Sequence, residues 1–379
     1  MRAVLTMTLV VMVVAVAGCF PVRWSVRDDG VAAIPCGQQV IIYEPRKEKV
    51  EVITPPDSTG RVILSVEWSP DGKRLLVVDT DIKGGNGEER CRIVSADGKD
   101  VKEVAKGASF AHWTPDAEGV TFLIKNEAGD PVLNLMDVET GKTETLLDKT
   151  LPFYAVKPES EQLAAFQAAG DIEAGVAILY LVKSEKEKEP IAAVRYVNFP
   201  WVTWSRDGKK LLFTTLETKL PEDLAGLDNE AKTKPSRKVA LYAIDTDSGK
   251  MSRLTRRNIG YGEYSPDGKH ILFVELRGLD ETNVGVMRSD GSGVRMLDDG
   301  KTLGSSDGPF GAANCQPVWL SNTRVQYYKD RDKNAKDSPD PAWWAIDIDG
   351  KNKEDLGAKI MKLIEALPKE KEAGAAAVK

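Results

Sequence analysis

The sequence predicts an all-β fold: a β-propeller of four-stranded antiparallel blades, with seven blades favoured over six, followed by a short C-terminal helix. Three observations support this prediction. A short phrase recurs along the chain, a second hairpin follows it in most copies, and apolar runs indicate sheets that are covered on both faces. The 379 residues are 42% hydrophobic and 29% charged, which is typical of a globular chain and excludes collagen-like, disordered and coiled-coil structures.

The recurring phrase is an aromatic residue, which we call the anchor, followed by a turn and an apolar run. Successive anchors are separated by 44, 45, 43, 48, 60 and 55 residues, a regular repeat with later insertions that predicts stacked supersecondary units. The clear copies are WSPDGKRLLVV from Trp68, WSRDGKKLLF from Trp204 and YSPDGKHILFV from Tyr264, and the weaker copies begin at Trp24, Trp113, Val156 and Trp319.

The turn in each clear copy contains the residues that a tight hairpin requires. Proline presets the backbone angle of the first central position, aspartate bonds neighbouring amides, and glycine supplies a positive φ. A strand is therefore predicted on either side of each turn. The turn residues assigned to this role are Ser69, Pro70, Asp71 and Gly72; Ser205, Asp207 and Gly208; and Ser265, Pro266, Asp267 and Gly268.

A second hairpin follows most of these turns, for example at 94–99 and 242–250, and it brings the count to four strands per repeat. The strands at 75–78, 211–214 and 271–274 are continuous apolar runs, which indicate burial on both faces. Small sheets stacked face to face around an axis meet that requirement. The copy that begins at Trp24 supplies the seventh blade; without it there are six.

The phrases WSPDGK and LYAIDTDSGK resemble the repeats of TolB-like and related WD-type propellers, and the resemblance covers nearly all of residues 20–357. It implies the propeller fold. TolB itself is expected to have six blades after a separate α/β domain, and no segment of this sequence resembles that domain. The resemblance therefore does not extend to TolB's role in the Tol-Pal envelope system.

The N-terminus predicts export. Residues 1–18 have one early cation and then an apolar run that is too short to span a bilayer, as in a secretory signal peptide. Val16, Ala17 and Gly18 precede Cys19 and resemble a bacterial lipobox, which implies signal-peptidase recognition of these three residues and acylation of Cys19. A plain secretory peptide and an uncleaved anchor are the alternatives. Phe20, where aspartate would signal inner-membrane retention, favours the outer membrane facing the periplasm.

The chain offers little material for catalysis or metal binding. Its net charge is −6, which excludes a nucleic-acid partner, and it has two histidines, His112 and His270. No catalytic residue, metal or cofactor is predicted. The sequence GSSDG at 304–308 matches a nucleophile elbow, but both histidines precede it, whereas the hydrolase order places the histidine after it.

Other candidate sites have simpler interpretations. Asp79-x-Asp81 and Asp347-x-Asp349 lack the glutamate that completes a calcium loop, so we interpret them as turns. Cys36, Cys91 and Cys315 form either one disulfide or buried thiols. The anchor tryptophans are expected to pack between blades. The tryptophans outside the anchor positions, which are candidates for the rim, are Trp201, Trp343 and Trp344.

The longest segments between strands, at 79–90, 217–237, 298–314 and 329–341, all belong to one face of the predicted disc, which we call the long-loop face; the tight turns belong to the opposite, tight-turn face. This arrangement predicts an envelope-anchored, non-catalytic scaffold that binds a protein partner through the long-loop face and is not an enzyme. The alternative is a propeller enzyme or carbohydrate-binding protein, either polysaccharide lyase-like or peptidase-associated.

The predicted organisation is a signal peptide at 1–18, the propeller at 19–357, and a helix and tail at 358–379.

Overall fold

The computed structural model describes residues 23–82, 87–170, 175–196, 200–216, 238–277, 282–298, 316–330 and 341–368. Within them the chain forms seven four-stranded antiparallel sheets, each built from four consecutive strands and arranged as blades in a ring. The predicted seven-bladed propeller is therefore confirmed, together with its short C-terminal helix. In the described ranges no helix is long and apolar enough to cross a membrane.

The first four blades lie in the N-terminal half of the chain. Blade 1 contains β1 (Ser25–Val26), β2 (Ala32–Cys36), β3 (Gln39–Glu44) and β4 (Lys49–Ile53). Blade 2 contains β5 (Arg61–Trp68), β6 (Arg74–Asp81), β7 (Glu89–Ser95) and β8 (Val101–Lys106). Blade 3 contains β9 (Ser109–Trp113), β10 (Gly119–Lys125), β11 (Pro131–Asp137) and β12 (Thr143–Leu147). Blade 4 contains β13 (Ala155–Val156), β14 (Leu163–Ala168), β15 (Val176–Ser184) and β16 (Glu187–Arg195).

The remaining three blades and the helix complete the ring. Blade 5 contains β17 (Val202–Trp204), β18 (Lys210–Leu216), β19 (Val239–Asp245) and β20 (Met251–Arg253). Blade 6 contains β21 (Ile259–Tyr264), β22 (His270–Leu276), β23 (Thr282–Arg288) and β24 (Arg295–Met296). Blade 7 contains β25 (Val318–Ser321), β26 (Arg324–Asp330), β27 (Pro341–Asp347) and β28 (Glu354–Asp355), and helix α1 (Leu356–Glu365) follows it directly.

The tight turns have the hydrogen bonds that their residue types predict. The Ser69 hydroxyl donates to Asp71 Oδ1 at 2.6 Å and accepts from the Arg74 amide at 2.9 Å, while the Gly72 amide donates to the Ser69 carbonyl at 2.8 Å. Gly72 has φ +69°, and Gly208 and Gly268 adopt nearly the same value. The hydrogen bond from Ser69 lowers the pKa of Asp71. These turns are therefore structural elements of the tight-turn face.

The anchor tryptophans pack between neighbouring blades. Trp113 donates its indole N–H to the Glu67 carbonyl of blade 2 at 3.4 Å, and Trp204 donates to the Ala155 carbonyl of blade 4 at 3.1 Å.

In blade 1 the anchor position belongs to Val26 and not to Trp24, because Val26 pairs with Ala32 across the turn as Trp68 pairs with Leu75. Trp24, two residues before Val26, is buried.

Within the described residues, blades 7 and 1 share no strand, so side-chain packing holds the ring together at their junction. Trp24 of blade 1 contacts Trp343 of blade 7 edge to face, with ring centroids 5.2 Å apart. The buried α1 residues Leu356 and Ile360 pack in the same cluster, and α1 contacts both β27 and β4. Lys359 forms an ion pair with Glu48 of blade 1 at 3.0 Å. The helix therefore covers this junction.

Several predicted features lie outside the described residues, and three predictions of local structure are wrong. The segment assigned to 329–341 includes strand residues, because β26 extends to Asp330 and β27 begins at Pro341. Asp79 and Asp81 belong to β6 and not to a turn. β6 extends to Asp81 and β7 begins at Glu89, so Asp79 and Arg90 belong to strands and not to the loop assigned to 79–90. Ion pairs join Asp79 to Arg61 of β5 and to Arg90 and Arg92 of β7. The features outside the described residues are 1–18, Val16, Ala17, Gly18, Cys19, Phe20, the segment 217–237, residues 299–314 with the sequence at 304–308, Cys315, residues 331–340 and the tail at 369–379.

Candidate functional site in the central channel

The first strand of each blade is the innermost, and its side chains alternate between the sheet interior and the central channel. In β5, Leu64, Val66 and Trp68 are buried, whereas Ser65 and Glu67 are partly exposed. This alternation is that of a strand with one solvated face. Equivalent positions in the seven innermost strands therefore form layers around the channel.

Two such layers carry the chemistry of the channel. The first, which we call the charged layer, contains the residue immediately before each anchor: Ser25, Glu67, His112, Ala155, Thr203, Glu263 and Val318. The second, which we call the aromatic layer, lies two residues earlier, closer to the long-loop face: Arg23, Ser65, Phe110, Phe153, Trp201, Tyr261 and Gln316.

An ion pair joins Arg23 of blade 1 to Glu263 of blade 6. Blade 7 lies between these two blades and contributes only Val318 to the charged layer, so the Arg23 side chain reaches past it. The Tyr261 hydroxyl donates to the second Glu263 oxygen at 2.8 Å. Burial opposes the charge of Arg23, but the combined interactions with Glu263, Tyr261 and Glu67 outweigh it and raise the pKa of the guanidinium. The Arg23 side chain nevertheless remains 34% exposed, so it lies deep in the protein and still meets channel solvent.

A second polar pair joins blades 2 and 3. His112 Nδ1 lies 2.7 Å from Glu67 Oε2, and the other Glu67 oxygen accepts from the Trp113 amide at 3.2 Å. The carboxylate therefore fixes the imidazole plane and favours the tautomer with a proton on Nδ1, which leaves Nε2 as an acceptor. Both side chains are about one third exposed, at 34% and 33%.

The aromatic layer contains a continuous arc of four rings from blades 3 to 6. The ring centroids are 5.2 Å apart for Phe110 and Phe153, 5.0 Å for Phe153 and Trp201, and 4.9 Å for Trp201 and Tyr261. Trp201 donates its indole N–H to the Gly262 carbonyl at 3.1 Å. Phe110 and Phe153 both have a positive φ, of +48° and +67°. Bulky residues rarely adopt this conformation. At Phe110 it coincides with a register shift between β9 and β10.

The tryptophans that sequence analysis placed outside the anchor positions divide between three environments. Trp201 lies in the channel. Trp343 packs against Trp24 in the junction, and Trp344 lies under the Lys353 ammonium, 4.8 Å from its ring centroid. The channel residues were not predicted from the sequence. One feature of the sequence could have indicated them, because several of the residues immediately before an anchor are charged or polar.

The calcium-loop candidates and the two described cysteines have other environments in the structure. The described residues contain no group of three or more histidine, cysteine, aspartate or glutamate side chains that could hold a metal ion. Asp79 accepts from arginines, and Asp347 pairs with Arg324 at 2.8 Å. Cys36 and Cys91 are free thiols, and burial raises the pKa of both.

Sequence comparison relates the chain to a peptidase. No family model matches the sequence. The uncharacterized peptidase YuxL of Bacillus subtilis is 23% identical over 235 residues, a match that covers 59% of this chain and 31% of YuxL. The matched region therefore spans about a third of the length of this relative.

Structural comparison supports the propeller fold. The propeller domain of the Trilobed protease from Pyrococcus furiosus has a TM-score of 0.59 at 11% identity, covering 89% of this chain and 95% of that one. An oligogalacturonate lyase in complex with manganese has a TM-score of 0.61 at 10% identity, covering 86% and 88%. TolB from Acinetobacter baumannii is a further neighbour, with 17% identity, coverage of 87% and 77%, and a TM-score of 0.48. The chain has the propeller architecture found in TolB-like proteins.

These findings correct the functional prediction. We expected a non-catalytic scaffold that binds a protein partner and is not an enzyme. That prediction is wrong, because the sequence relative is a peptidase. The alternative, a peptidase-associated propeller, is the better interpretation. The repeat phrase could not reveal this, because it encodes turn and packing chemistry that is independent of the reaction a propeller serves.

Proposed function

We propose that this chain is a peptidase-type propeller whose central channel binds an extended peptide and positions it for cleavage. The observation that carries the proposal is the arrangement of the channel wall. Two polar pairs, Arg23–Glu263 and His112–Glu67, lie beside an arc of aromatic rings, and the charged side chains retain access to solvent. The relationship to a peptidase supports a peptide as the ligand.

The two polar pairs suit a ligand that carries its own charges. Each carboxylate and the guanidinium already has a partner, so no isolated charge is buried in the channel. A peptide ammonium can replace Arg23 beside Glu263, and a peptide carboxylate can accept from the Arg23 guanidinium. Exchanging one ion pair for another costs less than stripping water from an unpaired charge. The wall therefore accepts polar peptide groups without a large desolvation penalty.

Peptide cleavage itself is assigned to no described residue. The imidazole of His112 is hydrogen-bonded to Glu67. Among the described side chains, no serine, threonine or cysteine donates a hydrogen bond to that imidazole. Thr121 donates to the His112 backbone carbonyl instead. The part of the chain that the structure describes therefore supplies peptide binding and positioning in this proposal.

The test uses the purified full chain and fluorescein-labelled peptides of 10 to 15 residues with mixed sequence. Fluorescence anisotropy measures binding, and mass spectrometry of the same mixtures measures cleavage. We expect saturable binding that weakens about tenfold in Arg23→Gln and in Glu67→Gln, as loss of a charged hydrogen-bond partner predicts. The matched control is Lys73→Gln, an exposed turn residue on the opposite face, which should bind normally. Peptides that neither bind nor are cleaved would contradict the proposal.

We also propose that the protein is exported and held on the bilayer by acylated Cys19, in the cell envelope. The signal-like run at 1–18 and the lipobox-like Val16, Ala17 and Gly18 support this. Cys19 precedes Arg23 by four residues, so acylation would hold the Arg23 side of the channel within about 15 Å of the membrane surface. Replacing Cys19 with alanine should move the protein from the membrane fraction to the soluble fraction; unchanged fractionation would contradict the anchor.

A further inference from the structure

We propose that the channel binds a primary ammonium group beside Glu67, and that this group is the free amino terminus of the bound peptide. The inference rests on the proposed function and specifies which end of the peptide the channel recognises. The charged and aromatic layers together contain two carboxylates, those of Glu67 and Glu263, and one guanidinium, that of Arg23. With His112 neutral, the two layers carry one negative charge in excess, which a ligand with one positive charge would balance.

The excess charge lies at Glu67. Arg23 also interacts electrostatically with Glu67, but its ion pair is with Glu263. The hydrogen-bond partners of Glu67 are the His112 imidazole, 2.7 Å away, and the Trp113 amide, 3.2 Å away. Among the described side chains, no lysine or arginine forms an ion pair with this carboxylate, which is 33% exposed. A cation that enters the channel therefore meets an accessible carboxylate whose charge is not yet paired.

The hydrogen-bonding groups at Glu67 suit an ammonium in particular. Each carboxylate oxygen of Glu67 has one partner and can accept a second hydrogen bond, and His112 Nε2 is an acceptor when Nδ1 carries the proton. An ammonium brings three donors, no acceptor and a full positive charge. A carboxylate at the same place would bring only acceptors and would be repelled by Glu67. The site beside Glu67 therefore favours the amino end of a peptide over its carboxyl end.

A second observation is a buried amide in the aromatic layer of blade 7. Gln316 is 3% exposed, and its Nε2 has no hydrogen-bond partner among the described residues. The carbonyl of the next residue, Pro317, lies 3.2 Å from the Tyr261 hydroxyl, which places Gln316 beside the Arg23–Glu263 pair. A buried donor without a partner is costly, and a ligand carbonyl would satisfy it. An amino terminus supplies a carbonyl next to its ammonium, so one peptide end can satisfy both groups.

The experiment compares three octapeptides on a Gly-Ser scaffold, each with fluorescein at the carboxyl end. The first has a free amino terminus, the second is acetylated, and the third is acetylated but carries a central lysine that restores the net charge of the first. Anisotropy titrations with the full chain should show the free terminus binding about tenfold more tightly than either acetylated peptide, as a charged hydrogen bond predicts. The lysine peptide separates recognition of the terminus from general attraction of a cation.

Two variants locate the site. In Glu67→Gln the preference for the free terminus should fall to less than about twofold, while the acetylated peptides bind as before. Glu263→Gln should have a similar effect, because it leaves Arg23 to pair with Glu67, and melting curves of both variants verify folding. The matched control is Glu51→Gln, which removes one negative charge from an outer strand of blade 1, where Glu51 is 55% exposed. It should retain the full preference.

The outcomes distinguish this inference from the proposed function. Equal binding of the free and acetylated peptides by the parent chain, or a preference that survives in both variants, would overturn the ammonium site while leaving the proposed function standing. A lysine peptide that binds as tightly as the free terminus would overturn the assignment to the amino terminus. Failure of every peptide to bind would overturn both proposals.

Discussion

Asp79 in blade 2 is the buried charge whose removal should cost the most stability. It is fully buried, at 0% exposure, and pairs with Arg61, Arg90 and Arg92; the Arg90 contact is 3.0 Å. Arg92 is itself only 2% exposed, and burial lowers its pKa despite the attraction of Asp79. The substitution Asp79→Asn leaves this guanidinium buried without an anion. Breaking a buried pair from one side typically costs about 3–5 kcal/mol, which we expect here.

Urea denaturation followed by tryptophan fluorescence measures the loss in the free energy of unfolding. The control Asp28→Asn breaks the Arg206–Asp28 pair, whose side chains are 55% and 77% exposed, and should change stability by less than about 1 kcal/mol. The double variant Asp79→Asn with Arg92→Leu removes the orphaned charge and should regain about 2 kcal/mol. If Asp79→Asn cost no more than the control, the buried-pair account of blade 2 would be refuted.

Three further predictions concern stability. Burial raises the pKa of Glu89 to about 7, so ionising it costs stability as the pH rises from about 4.5 through 7. Glu89→Gln should therefore match the parent near pH 4.5 and exceed it by about 2–3 kcal/mol at pH 8 in urea titrations, and parallel pH profiles would refute this. Gly268→Ala adds a methyl group with nothing within 4 Å at φ +70°, so strain alone should cost about 1 kcal/mol; an unchanged melting midpoint would contradict it. Ile360→Ala should loosen the junction of blades 7 and 1, with a loss of about 2–4 kcal/mol and faster hydrogen exchange in β4 and β27, whereas uniform exchange across all blades would refute a local role.

The architecture was predictable because its determinants are local and repeated. A turn such as Ser69–Gly72 depends on its own hydroxyl, carboxylate and positive φ, so the hairpin is encoded within a few residues. Stacking follows from apolar runs that need cover on both faces. The position of the first anchor was harder to predict, because blade 1 carries both Trp24 and Val26 and only strand pairing distinguishes them.

The channel site was not predictable in the same way, because its pairs join distant parts of the chain. Arg23 and Glu263 are 240 residues apart, and they meet only because the ring closes and blade 7 contributes a small apolar residue between them. The positive φ of Phe110 and Phe153 has no sequence signature. The peptidase relationship likewise leaves no trace in the repeat phrase, because the phrase determines packing and not chemistry.

The central claim, that a peptide binds in the channel, is tested most directly by photo-crosslinking. A fluorescein-labelled peptide with a central benzoylphenylalanine is irradiated with the full chain, and the modified residues are mapped by mass spectrometry. The account predicts crosslinks on the innermost strands, at or beside Phe110, Phe153 and Trp201, which an excess of unlabelled peptide suppresses. Crosslinks confined to the outer strands or the tight-turn face would contradict it.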